Sequence, residues 1–123
     1  MPTDEEHLKN QRAMPGEMCE EGRKYLAEHD YEQASKSFSK AVMAFEFLLK
    51  NMLISQEETK DMFNDIIMPS YSNLALCYIK LENYAAVLPL CHQLIVQDDG
   101  HIKARYRRGI AYKHLKQVFS DFI

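Results

Sequence analysis

Apolar residues recur along this chain at three- and four-residue steps, and no stretch alternates apolar with polar for long. That is the period of an α-helix buried along one side, so the pattern predicts an all-α protein. Thr3 with Glu6 makes a capping box that opens a short helix, which is expected to yield near Pro15-Gly16. A second helix follows from about Pro15 to Glu28, and EHDY turns the chain. The third begins near Tyr31, where Ala34, Phe38, Ala41 and Phe45 form one apolar face. Ser55 with Glu58 is another capping box, opening a long helix toward Leu81 in which Pro69 should cause a bend or leave a carbonyl unpaired. LENY is the next turn, followed by a helix from about Tyr84 to Val96 that Pro89 should kink. QDDG ends it, with Gly100 as the stop. The last full helix covers about residues 101–115, and VFSDFI reads as the start of one more.

The helices repeat. Laying SNLALCYIKLENY over YRRGIAYKHLKQV puts Ala75 on Gly109 and Tyr78 on Tyr112, each 34 residues apart. Laying EEGRKYLAEHDYEQASKSFSKA over the same stretch puts Gly22 under Ala75 and Tyr25 under Tyr78, 53 residues apart. The surplus of 19 falls in KNMLISQEETKDMFNDIIM. Physically, a small residue at Gly22, Ala75 and Gly109 lets two helices approach, with Tyr25, Tyr78 and Tyr112 beside the gap. Ala34, Phe38 and Ala41, and likewise Val87, Cys91 and Leu94, form the answering face.

This period and these residues resemble the tetratricopeptide repeat (TPR), a helix-turn-helix unit that stacks into a right-handed solenoid. The resemblance covers roughly residues 15–123 and implies about two and a half repeats, the first lengthened, after an N-terminal helical extension over residues 1–14. The third repeat is incomplete, so Val118, Phe119, Phe122 and Ile123 would lack a partner surface. Either the chain is cut before its cap, or a second copy covers this end as a homodimer. The long first repeat resembles the TPR domains of FKBP-type immunophilins. Pro69 four residues before Asn73, the TDEE start, AMP before Gly22 and ENYAAVLPLC resemble the aryl-hydrocarbon-receptor-interacting-protein (AIP) branch.

The resemblance also implies a function. Many chaperone-binding TPR grooves clamp the acidic C-terminal tail of heat-shock protein 90 or heat-shock protein 70. Such a clamp needs fixed cations for crowded carboxylates and an amide that both donates and accepts. Asn73, Lys103 and Arg107 stand where the family places three of its clamp residues. Leu76, one turn after Asn73, would meet an apolar peptide side chain. The family's Lys, three residues before the small glycine, is replaced by Cys19. Its Asn, just after that glycine, is replaced by Arg23, a fourth contact if its fork takes a carboxylate. The alternative is a TPR scaffold without a clamp, binding client proteins or a second copy.

Composition trims the other classes. The net charge is −3, yet residues 101–116 hold six Lys or Arg and no acid. Arg105, Arg108, Lys113 and Lys116 read as solvated helix residues, and the acidic N-terminal half argues against nucleic-acid binding. Cys19, Cys77 and Cys91 are odd in number without a C-x-x-C spacing, which reads as reduced thiols in a cytoplasmic protein. No apolar run suits a membrane span. Cys91-His92 lacks a second pair at ligand spacing, so no metal, cofactor or enzyme activity is expected. His7, His29, His101 and His114 are expected at the surface. Met14, Met18, Met43, Met52, Met62 and Met68 fall mostly on apolar faces as gap fillers, the alternative being a Met-lined groove.

Overall fold

The computed structural model describes residues 3–122, with side chains as far as Lys116. The side chains of Val118, Phe119 and Phe122, and Ile123 altogether, lie outside what is described, so the unpartnered end expected there is not part of the structure. Among the described residues the chain is helical, with no strand. In order, α1 spans Asp4–Ala27, α2 Tyr31–Lys50, α3 Gln56–Met62, a π-helical segment Phe63–Ile67, α4 Met68–Lys80, α5 Tyr84–Gln97 and α6 Ile102–Phe122. Two compact units divide inside α4, between Ser70 and Tyr71.

In the first unit α1 starts as its capping box requires. The Glu6 N–H donates to Thr3 Oγ1 at 3.2 Å and the Thr3 N–H donates to Glu6 Oε2 at 3.3 Å. The helix then runs unbroken through Pro15-Gly16, correcting the expected pair of short helices. A proline inside a helix costs about 3 kcal/mol through a lost hydrogen bond and ring crowding. Pro15 is fully buried, and packing of that ring offsets the local cost. α2 lays Ala34, Phe38, Ala41, Phe45 and Leu48 into the core, the face its periodicity marks. The two helices approach closely at Gly22, where an added Cβ would lie 2.7–2.8 Å from the Phe38 ring.

The second capping box also forms, Glu58 N–H donating to Ser55 Oγ at 3.0 Å, but the helix it opens is not uniform. After Met62 it widens into the π-helical segment, where the Met68 N–H reaches back five residues to the Phe63 carbonyl. Pro69 explains why. In a regular α-helix its ring would press on the carbonyl four residues earlier, and a wider turn relieves that contact. The Ile66 carbonyl accepts from Ser70 Oγ at 2.7 Å. A π-helical segment, with the buried serine on its Ile66 carbonyl, therefore stands where a bend or an orphan carbonyl was expected.

In the second unit Leu74, Ala75 and Cys77 from α4, Val87, Cys91 and Leu94 from α5, and Ala104 and Ala111 from α6 are buried. α5 continues through Pro89, which is exposed, so the expected kink does not end the helix. α6 carries VFSDF as its own continuation rather than as a new helix, and Ile123 lies outside the described residues.

The 53-residue offset is visible in the turns. The Asp30 N–H reaches Tyr25 O at 2.9 Å and the His29 N–H reaches Leu26 O at 3.0 Å. Asn83 to Tyr78 O at 2.8 Å and Glu82 to Ile79 O at 3.0 Å repeat the arrangement. Both are Schellman ends, which need a left-handed residue. His29 and Glu82 supply it at φ 60° and 61°, and Met52 does so after α2 at φ 53°. Gly100 takes no such part: among the described residues no glycine has a positive φ.

Candidate peptide-binding site

Four of the five residues singled out from the sequence belong to the second unit. The buried side of α4 is fixed by Leu74, Ala75 and Cys77, which leaves Asn73 and Leu76 half-buried at its edge. α6 is fixed in the same way by Ala104 and Ala111, leaving Lys103 exposed and Arg107 half-buried one turn later. The start of α6 is held by neighbours in sequence. His101 Nδ1 accepts from the Ala104 N–H at 3.1 Å, and Arg105 grips Asp99 through the carboxylate and the carbonyl, both at 2.6 Å.

Arg107 joins the two helices. Its Nη1 donates to the Ser72 carbonyl at 2.6 Å and to Ser72 Oγ at 3.0 Å, so the guanidinium is anchored beside Asn73. Burial lowers its pKa, but a guanidinium stays charged far above neutral pH. The same charge lies close to two buried thiols. Burial pushes the Cys77 thiol up to about 11, with Arg107 pulling the other way. Cys91 is raised by burial too, opposed by Arg107 and Arg108. Chemically, the arrangement offers one anchored guanidinium, one exposed ammonium and one amide in the same unit. Groups of these kinds can bind carboxylates and peptide groups.

The sequence missed Ser72. No motif marks it; its place next to Asn73, 35 residues before Arg107, is the one available signal.

The remaining positions belong to the first unit. Arg23 is exposed on α1 and pairs with Glu20 at 3.4 Å. Cys19, expected from the resemblance to stand at a clamp lysine's position, is 2% exposed, with Sγ 3.3 Å from Ser70 Oγ. It is a core residue of its unit. Glu58, in its capping box, has its pKa lowered first by the Ser55 backbone N–H and then by the Ser55 hydroxyl.

The rest of the basic stretch has separate duties. Arg105 holds the turn before α6 and Arg108 is half-buried. His114, expected at the surface, is half-buried and stacks on Tyr84 with ring centroids 4.0 Å apart. Cys91 is buried and His92 exposed, which splits that pair between core and surface. Among the described residues no His, Cys, Asp and Glu cluster at metal-holding distance, and no helix is long and apolar enough to cross a membrane.

Comparison with known proteins supplies an independent line. The chain is 26% identical over 123 residues to FK506-binding protein 59 of Drosophila melanogaster, covering 98% of this chain and 25% of that protein. It is 30% identical over 93 residues to the human peptidyl-prolyl cis-trans isomerase FKBP4, covering 76% of this chain and 19% of that protein. With the mouse protein unc-45 homolog B it shares 31% identity over 112 residues, 89% of this chain and 10% of that protein. The chain thus spans a quarter or less of the length of these relatives. No family model matches it, and no solved structure matches it. The similarities support a TPR domain related to those of FKBP-type proteins, in the repeat-containing part and not the isomerase domain.

Proposed function

We propose that this chain is the protein-interaction module of a cytoplasmic co-chaperone, and that its second unit binds the acidic C-terminal tail of heat-shock protein 90 or heat-shock protein 70. The supporting observation is the anchoring of Arg107 on Ser72, beside Asn73. With Nη1 committed to Ser72, Nε and Nη2 of the guanidinium would take a carboxylate pair. Lys103, exposed one turn earlier, adds a second charge, Asn73 takes the peptide backbone and Leu76 an apolar side chain. Arg23 would first have to leave Glu20 to make a further contact. Within the FKBP-type relatives we place the chain in the AIP branch, on Pro69 before Asn73, the TDEE start and ENYAAVLPLC. Client proteins would then be further partners of the parent protein.

Calorimetric titration with a peptide ending in Met-Glu-Glu-Val-Asp tests this, beside the same peptide amidated at its C-terminus. Micromolar binding to the free acid is expected, with at least a tenfold loss on amidation and on Lys103→Ala. Ser72→Ala should weaken binding severalfold, because Arg107 loses one of its two anchors. Binding that is indifferent to both amidation and Lys103→Ala would defeat the clamp.

The buried Cys19 favours a second reading, a scaffold without a clamp that binds clients or a second copy through another surface, because one of the family's three clamp cations is missing. That reading predicts partner binding unchanged by Lys103→Ala.

A further inference from the structure

The methionines take no part in the proposed clamp. Met14 and Met18 lie one turn apart on α1, and Met43 and Phe47 one turn apart on α2. All four line one groove of the first unit, with a volume of about 600 Å³. They are not gap fillers in the core, as the sequence suggests for most of the methionines. Met43 is 65% exposed, Phe47 47% and Met14 46%. Gln11 and Lys40 mark the ends of the stripes, so each helix contributes positions seven apart, 11 to 18 and 40 to 47. Seven residues are two helical turns, roughly 10 Å at 1.5 Å per residue. Over that length a docked helix presents anchors at i, i+3 or i+4, and i+7. Methionine suits the task because its unbranched thioether reshapes itself to different partners.

The charge beside the groove selects the occupant. An adjoining hollow shares Met18 and is lined by Glu17, Glu20, Glu21 and Glu28, with Lys24 as its one cation. Glu20 meets Arg23 and Glu21 accepts from Ser37 Oγ at 3.2 Å, which fixes two of the carboxylates in place. A second copy docked about a twofold axis through this band would set it against its twin, and like charges repel. A two-turn groove also falls well short of the ~1,200 Å² that a stable dimer buries. A basic partner meets no such repulsion, and a single helix bound weakly and reversibly does not need that area.

We propose that the α1–α2 groove docks a basic amphipathic helix. Its apolar face covers Met14, Met18, Met43 and Phe47, and its Lys or Arg side chains lie along the glutamate band. Lys40 lays its methylene stem against the occupant and keeps its ammonium in water. The charge preference is opposite to that of the acidic tail proposed for the second unit, and the inference does not depend on that reading.

The probe is a fluorescein-labelled 18-residue peptide of Leu and Lys patterned as one amphipathic helix, beside the same pattern with Glu for Lys, titrated by anisotropy with the full chain. The Leu/Lys peptide should bind at least tenfold tighter than the Leu/Glu peptide. Replacing Met43 and Phe47 together by Ser should weaken it at least tenfold. Glu17→Gln with Glu28→Gln should weaken it severalfold and flatten its salt dependence. If the double serine variant loses its helical circular dichroism, the glutamate variant alone decides. Equal affinity for both peptides, or variants that bind as the parent does, would overturn the proposal. So would a concentration-dependent dimer in sedimentation that Phe47→Ser abolishes, since the groove would then belong to a second copy.

Discussion

At the scale of single residues, two of the helical glycines, Gly22 and Gly109, separate two uses of one residue type. Gly22 faces the Phe38 ring, which is 0% exposed and cannot give way, so a methyl group there overpacks the helix contact. Gly22→Ala should cost about 1–3 kcal/mol, read as a lower urea midpoint. Gly109 has no atom within 4 Å of an added Cβ and is exposed. There Gly109→Ala should stabilise by about 0.5–1 kcal/mol, because alanine restricts the unfolded chain and favours the helix. Reading Gly22, Ala75 and Gly109 as equivalent small residues was thus correct at the first two positions, where Gly22 is closely approached and Ala75 is buried. At the third no answering helix is among the described residues: Gly109 is in the open, and Tyr112 beside it is 57% exposed. Periodicity identifies the residue; only a neighbour in space makes it tight.

At the scale of elements, the helix ends show how strongly the repeat constrains the backbone. Three of them place an ordinary residue in the left-handed region, at a cost of roughly 1–2 kcal/mol that glycine does not incur. Glu82 is the cleanest to test, because it is exposed, whereas His29 also touches the Tyr31 hydroxyl at 3.1 Å. Glu82→Gly should raise stability by about 0.5–1 kcal/mol after allowing for glycine's freedom in the unfolded chain, measured by chemical denaturation. The same turns were legible in the sequence as EHDY and LENY, since they interrupt the helical period. The π-helical segment was not. Pro69 announced a disturbance, but its form depended on the Ser70 hydroxyl meeting the Ile66 carbonyl. Nor was the continuity of α1 legible, since what decides it is burial of the Pro15 ring.

At the scale of the whole molecule, stability against pH reports on the second unit. Cys77 has an ordinary pKa of 9.0 and is held at about 11 in the folded chain, chiefly by burial. Its thiol stays neutral when folded while the unfolded thiol ionises, so the unfolded state binds fewer protons across that window. Stability is therefore fully present below pH 9 and falls as pH rises from 9 toward about 11. Urea midpoints measured across this range should decline, and Cys77→Ala should flatten the decline. Thiol reagents at neutral pH should label the folded chain slowly, because all three free cysteines are buried.

The sequence by itself determined the helical class, the repeat, the capping boxes and the core faces. Each of these is a periodic or local property: Ala34, Phe38 and Ala41 need only their spacing to mark a buried stripe. The resemblance also singled out Asn73, Lys103 and Arg107 as expected contacts, the reading carried into the proposed function. Only the tertiary structure decided that Cys19 belongs to a core, that Ser72 anchors Arg107 and that the methionines of α1 and α2 share one open groove. Those outcomes join positions 35 to 51 residues apart, or hinge on whether a face is covered, and no spacing along the chain encodes either.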